Sequence, residues 1–161
     1  MAYSSSEGAK FYYCATANPT ADTVSEYAAL TWVELTGVET ISEFGDSAQL
    51  VTFNLLAEGR VRKLKGSKDA GDITVACVHD PLAASQAAMK GFAGTKFNYA
   101  FKALLADGAD SNDTDSVFYF TGKVMSAPLN IGGANDPTRR NYNIAIDTEV
   151  LEDIGEAVSG G

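Results

Sequence analysis

The side chains able to do chemistry in this 161-residue chain are few and scattered. The single histidine, His79, stands two residues after Cys77, so on an extended strand the two would share a face. With Cys14 as the only other thiol, a structural zinc site is one ligand short before any carboxylate is recruited. His79 directly precedes Asp80, a good helix cap, and a histidine in such a turn reads as structural or solvated rather than as a general base. No G-x-S-x-G elbow is present, which removes the apparatus for nucleophilic acyl transfer. Asp107, Asp110, Asn112, Asp113 and Asp115 crowd one loop but do not follow the EF-hand pattern, and a solvated hairpin tip explains them. Gly132 and Gly133 are not followed by the Lys-Ser/Thr of a phosphate-binding loop. Trp32 with Tyr12, Tyr13 and Tyr27 could stack on a sugar, although aromatic strand residues usually belong to cores. No catalytic constellation emerges, and neither a metal nor a cofactor is expected.

Charge is more informative than chemistry. The formal net charge is −9, and it is unevenly spread. No Lys or Arg occurs between Phe11 and Gly59, where Asp22, Glu26, Glu34, Glu39, Glu43, Asp46 and Glu58 all fall. Arg60, Arg62, Lys63, Lys65 and Lys68 then follow within nine positions. After Arg140 the chain carries only acids. Net negative charge repels nucleic acid at long range. A segregated pattern lets basic and acidic segments of identical copies meet, which favours self-assembly.

The elements that would position these groups read mainly as strands. Hydrophobic content is 45% and charged content 20%, ordinary for a globular chain, and no apolar run reaches the length of a membrane span. The first ten residues have neither a basic nor an apolar signal region, so an intracellularly made protein with reduced, buried cysteines is expected. Period-two alternation marks Tyr142 to Val150, Ile73 to Cys77, Phe97 to Phe101 and Val51 to Leu55. Val117 to Met125 is apolar on both faces and belongs at the centre of a sheet. Phe11 to Ala17 and Leu30 to Val38 are also strand-like. Asp80 as cap and Pro81 at the first helical position predict one helix, with Leu82, Ser85, Met89 and Phe92 on its packed face.

The expected fold is therefore a mainly β sandwich or barrel of seven or eight strands with one flanking helix. Residues 1–10 form an N-terminal arm, 11–150 the β domain, and 151–161 an acidic C-terminal arm. Within the domain, 41–71 reads as a long projecting hairpin and 80–93 as the helix. Arms and a projecting hairpin gain little burial on a monomer and make sense if another subunit covers them.

Four stretches carry a resemblance: TWVELTGVETISEFGD (Thr31 to Asp46), VTFNLLAEGRVRKLKGSKDAGDITV (Val51 to Val75), the D-P-x-x-x-x-Q-x-A helix from Asp80, and FYFTGKVMSAPLNIGGANDPTRRNYNIAI (Phe118 to Ile146). Together they resemble the major tail tube proteins of long-tailed, siphovirus-like bacteriophages or of phage-derived gene transfer agents. The R-x-R-K-L-K-G-x-x-D-A-G block and the F-x-G-K-V segment are the most specific pieces. The resemblance implies a non-enzymatic virion protein that assembles in the bacterial host cytoplasm. It implies six copies per ring and rings stacked into a hollow tube, through which DNA leaves the capsid without specific binding. Tape measure, tail tip and tail terminator proteins would be its partners, with no membrane involved. On that reading Phe44, Asp46, Arg60, Arg62, Lys63, Lys65, Lys68 and Asp69 lie at subunit or ring interfaces, and Glu34 and Asp147 are candidate lumen acids. The residues alone leave open a monomeric β-sandwich module binding a sugar or calcium. A terminator or connector that caps a tube is the alternative within the resemblance.

Overall fold

A computed structural model describes residues 8–105 and 116–153. The elements, in chain order, are β1 (Lys10–Tyr13), α1 (Val24–Ala28), β2 (Val33–Glu34), β3 (Val38–Ile41), β4 (Ser47–Leu55), β5 (Arg60–Asp69), β6 (Asp72–Val78), α2 (Ala84–Ala93), β7 (Tyr99–Leu104), β8 (Val117–Ser126), β9 (Leu129–Asn130), β10 (Arg139–Ile146) and β11 (Leu151–Asp153). Nine strands form one sheet in the order β2-β1-β7-β8-β10-β6-β3, with β11 beside β8 and β9 beside β10; β4 and β5 form a separate two-stranded sheet. Every pairing is antiparallel. None of the described helices is long and apolar enough to cross a membrane.

The period-two pattern dictates a sheet with two apolar faces. On one, Phe11, Ile73, Val75, Phe101, Phe120, Tyr142 and Ile144 are fully buried, and Met89 and Phe92 of α2 close over them. On the other, Cys14, Ala100 and Tyr119 are buried under α1, whose Tyr27 stacks on Tyr119 with centroids 5.5 Å apart. The Tyr27 and Thr121 hydroxyls are 2.8 Å apart in a buried hydrogen bond, which satisfies both. Strand β8 contributes Phe120 to one cluster and Tyr119 to the other, so its two-sided apolarity does place it centrally.

The mainly β fold and a helix over the sheet match expectation; the hairpin is present but runs from Ser47 to Asp69 rather than over 41–71, because Ile41 ends β3 and Phe44 packs against Phe118 and Phe120. The sheet, however, does not close into a barrel. Its outer strands β2 and β3 lie at opposite ends, and among the described residues each pairs with one neighbour only. The eleven described strands exceed the expected seven or eight because short β9 and β11 join the sheet and because Leu30 to Val38 is broken at Gly37. There φ is +77°, and an added Cβ would meet Gln86 Nε2 at 3.0 Å and Val78 O at 3.1 Å.

Two helix expectations are corrected. Helix α2 starts at Ala84, not at Pro81, and Ala83 at its cap position makes no side-chain cap bond. Asp80 instead builds a turn: its Oδ1 accepts from Leu82 N (3.0 Å) and its carbonyl from Ala83 N (3.2 Å). Leu82, expected on the packed face, precedes the helix and is 92% exposed. The Gln of the D-P-x-x-x-x-Q motif has a structural role. Buried Gln86 donates to Thr36 O (3.0 Å) and Val78 O (2.9 Å) and accepts from Asp80 N (3.0 Å), tying α2 to the sheet edge. Helix α1 was not anticipated, yet Thr23-Val24-Ser25-Glu26 is a T-x-x-E signature. Thr23 Oγ1 accepts from Glu26 N (3.3 Å), and Glu26 Oε2 from Asp22 N (3.2 Å). Most of the two arms, and the whole acidic loop from Asp107 to Asp115, lie outside the described residues.

Candidate assembly surface

The hairpin β4–β5 stands apart from both cores. All nine residues of β4 are exposed, as are all of β5 except half-buried Gly66. The pairing Val51↔Leu64, Phe53↔Arg62 and Leu55↔Arg60 fixes what each side carries. One face presents Val51, Phe53, Leu55 and Leu64 with Arg60 and Arg62 at its end. The other presents Leu50, Thr52 and Asn54 beside Lys65, Lys63 and Val61. Val51 is 45% exposed, Phe53 39%, Leu64 57%, and Leu56 at the tip completely. A contiguous apolar and basic patch of this kind marks a surface awaiting a partner.

The expected interface residues fall into three groups. Arg60, Arg62, Lys63, Lys65 and Lys68 do line one strand, and of these five only Arg62 enters an ion pair with a described residue, Glu58 Oε2 at 3.3 Å. Asp69 and Asp46 sit at the root. Asp69 Oδ1 accepts from Gly71 N (2.9 Å), and Asp46, Lys68, Asp69 and Asp147 share the lining of one cavity of about 410 Å³. Phe44 is partly inside the molecule, with its ring 5.8 Å from that of Phe120 and 6.0 Å from that of Phe118.

Glu34 and Asp147 are both exposed but far apart in the sheet. Glu34 is on the end strand β2, opposite Tyr12. Asp147 follows β10, accepts from Asn98 Nδ2 at 3.0 Å and lies 4.0 Å from Lys123 Nζ. Unanticipated is Lys102, which pairs with Tyr12 from the side opposite Glu34 and whose Nζ is 4.3 Å from the Tyr12 ring centroid and 5.3 Å from that of Trp32. Burial lowers the pKa of that ammonium. Glu39 and Arg139 are joined by two hydrogen bonds of 2.6 and 3.0 Å; the bond from Arg139 is the chief reason the Glu39 carboxyl lies below its ordinary range.

The residues considered for chemistry are placed differently. Cys77 is buried in the main core, where burial pushes its thiol up to about 12, and Cys14 is buried on the opposite face. His79 lies at the rim of a cavity of about 240 Å³ with Lys90 and Arg140 nearby. Of the proposed aromatic platform, Tyr13 is buried in one core and Tyr27 in the other, so the four rings share no surface. Among the described residues, no group of three or more His, Cys, Asp or Glu could hold a metal ion.

Comparison with known proteins fits this exposed hairpin on an antiparallel sheet. Three solved assemblies contain chains of similar fold. A chain of the anti-feeding prophage baseplate, a six-fold symmetrised cryo-EM structure, has a TM-score of 0.67 at 7% identity, covering 99% of each chain. The SPP1 tail tube subunit has a TM-score of 0.60 at 14% identity, over 92% of this chain and 77% of that one. The sheath–tube complex of an extracellular contractile injection system (PVC) has a TM-score of 0.62 at 11% identity, over 90% and 88%. No curated protein sequence matches the chain. The model of the phage tail tube protein family (TTP) matches residues 15–119, well over half of the chain, from just past β1 through the hairpin and into β8. This chain therefore belongs to the phage tail tube protein family, and its role is that of a structural tail tube protein.

Proposed function

We propose that the protein polymerises: six copies close a ring, and rings stack head to tail into the tube through which DNA travels to the host. The observation that carries this is the hairpin, whose apolar and basic residues are left in solvent by their own subunit. A surface patch that meets a different patch on the next copy generates an open filament rather than a closed dimer. The terminal strands β2 and β3 suit lateral contacts, since each has an unpaired edge in the described sheet. On this reading Phe44, Asp46, Arg60, Arg62, Lys63, Lys65, Lys68 and Asp69 belong to inter-subunit contacts, with Glu34 and Asp147 facing the bore. Net charge −9 keeps DNA from adhering during passage. Residues 11–150 act as the tube domain and the flanking segments as arms. The protein works without catalysis or cofactor, is assembled in the host cytoplasm, and adjoins tape measure, tip and terminator proteins.

The test is negative-stain microscopy beside sedimentation velocity at low and high salt. Hollow tubes or stacked six-fold rings are expected, shortened by salt because the contacts are charged. The double variant R62E/K65E should remain a folded monomer without tubes; normal polymerisation by that variant overturns the hairpin's role. Finite stacks of one or two rings would favour a tube-capping protein instead.

A further inference from the structure

A groove of about 950 Å³ runs beneath the segment from Val38 to Asp46. Its apolar lining includes Ile41, Phe44, Leu104, Phe118 and Val150, all half-buried. Acids complete it: Glu43, Asp46 and Glu152 have no basic partner among the described residues, whereas Glu39 is already held by Arg139. An occupant must therefore be apolar along one side and basic at its edge.

Residues 1–7, 106–115 and 154–161 continue the chain from beside this groove, at Gly8, Leu105 and just past Glu152. Together they contain six acids and no Lys or Arg, so their charge is wrong for it. The hairpin has the right composition, pairing Val51, Phe53 and Leu64 with Arg60 and Arg62. This subunit's own hairpin begins at Ser47, next to the groove's rim, and contributes nothing to the lining. Nine residues of extended strand span about 30 Å, roughly twice the expected radius of gyration, about 15 Å, of a body this size. Its strands are exposed on both faces, so that length is available to a neighbouring copy.

We propose that the groove under Val38–Asp46 receives the apolar face of a β4–β5 hairpin from a second copy, with Arg60 and Arg62 against Glu43 and Glu152. The proposal rests on the self-assembly reading and specifies which two surfaces meet.

The experiment places the photo-cross-linker p-benzoylphenylalanine at Phe53 in the full chain. Copies carrying it are mixed with 15N-labelled wild-type copies under assembly conditions and irradiated, and cross-linked peptides are mapped by mass spectrometry beside electron microscopy. The expected result is an intermolecular link from position 53 to peptides holding residues 38–46 or 150–152. Links elsewhere in well-formed tubes overturn the groove assignment and leave the tube reading intact. Links into the groove within oligomers that never lengthen support the groove and overturn the tube reading. Absence of both assembly and links overturns both. Should the bulky group at position 53 block assembly, the same label at Leu55, on the same face, gives the equivalent readout. The variant E43K/E152K should raise the protein concentration needed for assembly at least about tenfold, because like charges then oppose one another. Combining it with R60E/R62E should restore assembly.

Discussion

Two strands with nearly the same sequence pattern have opposite fates. Ile73, Val75 and Cys77 of β6 alternate with smaller or polar residues and are completely buried. Val51, Phe53 and Leu55 of β4 alternate in the same way and remain 38–45% exposed. The difference lies in what stands opposite. Strand β6 is flanked by β10 and β3 and lies in the sheet that α2 and its neighbours cover. Strand β4 pairs only with β5, and among the described residues no layer closes over that pair. Alternation specifies a face, whereas burial requires a second surface, which the described residues do not give the hairpin and which the proposed neighbouring copy would supply.

Matched truncations break this comparison most directly. Phe120→Ala empties a completely buried site in contact with Phe11, Phe44 and Phe101, and should destabilise the monomer by about 3–5 kcal/mol. Urea denaturation followed by circular dichroism would measure it, and a loss below about 1 kcal/mol would contradict the described core. Gln86→Leu should follow at about 2–4 kcal/mol, because it leaves Asp80 N–H and the Thr36 and Val78 carbonyls without their buried partner. Gly122→Ala sharpens the contrast within the sheet. Its Cβ would run into the Ala145 carbonyl oxygen, so a shift of β10 costing about 1–3 kcal/mol is expected.

On the hairpin the same chemistry should do little to the monomer. Phe53→Ala should change its stability by less than about 0.5 kcal/mol while sharply reducing assembly. Equal losses for Phe53→Ala and Phe120→Ala would erase the distinction between the two regions. The smallest effect concerns pH. The Glu39 carboxyl is lowered from its ordinary 4.5 by the bond from Arg139, so its stabilisation is present above that value and disappears as pH falls through the lowered one. The stability difference between wild type and Glu39→Gln should therefore shrink on acidification below that range, and a difference that grows would contradict the sign.

Much of this was legible in the residues. Strand β8 announced its central position by being apolar on both faces, and the exposed hairpin by its length and charge. Helix α2 was legible as an element but not in its boundary, because Asp80 can cap a helix or build a turn, and the choice depends on Gln86 taking the Asp80 N–H. Helix α1 left a capping signature that its five-residue length, too short for periodicity, made easy to pass over. The groove left no local signal. Its walls come from Gly8, the Val38–Asp46 segment, β7, β8 and Val150, five places far apart in the chain.

What the sequence determined by itself is what local chemistry controls: extended elements from period-two alternation, the hairpin from its glycines and basic run, and the lack of a recognisable catalytic motif. Tertiary structure decided the rest. It chose an open sheet over a closed barrel, set Phe44 against Phe118 and Phe120, and assembled acids and apolar side chains into one groove. These outcomes depend on contacts between residues tens of positions apart. Their free energy is set by packing and charge in three dimensions, which no local pattern encodes.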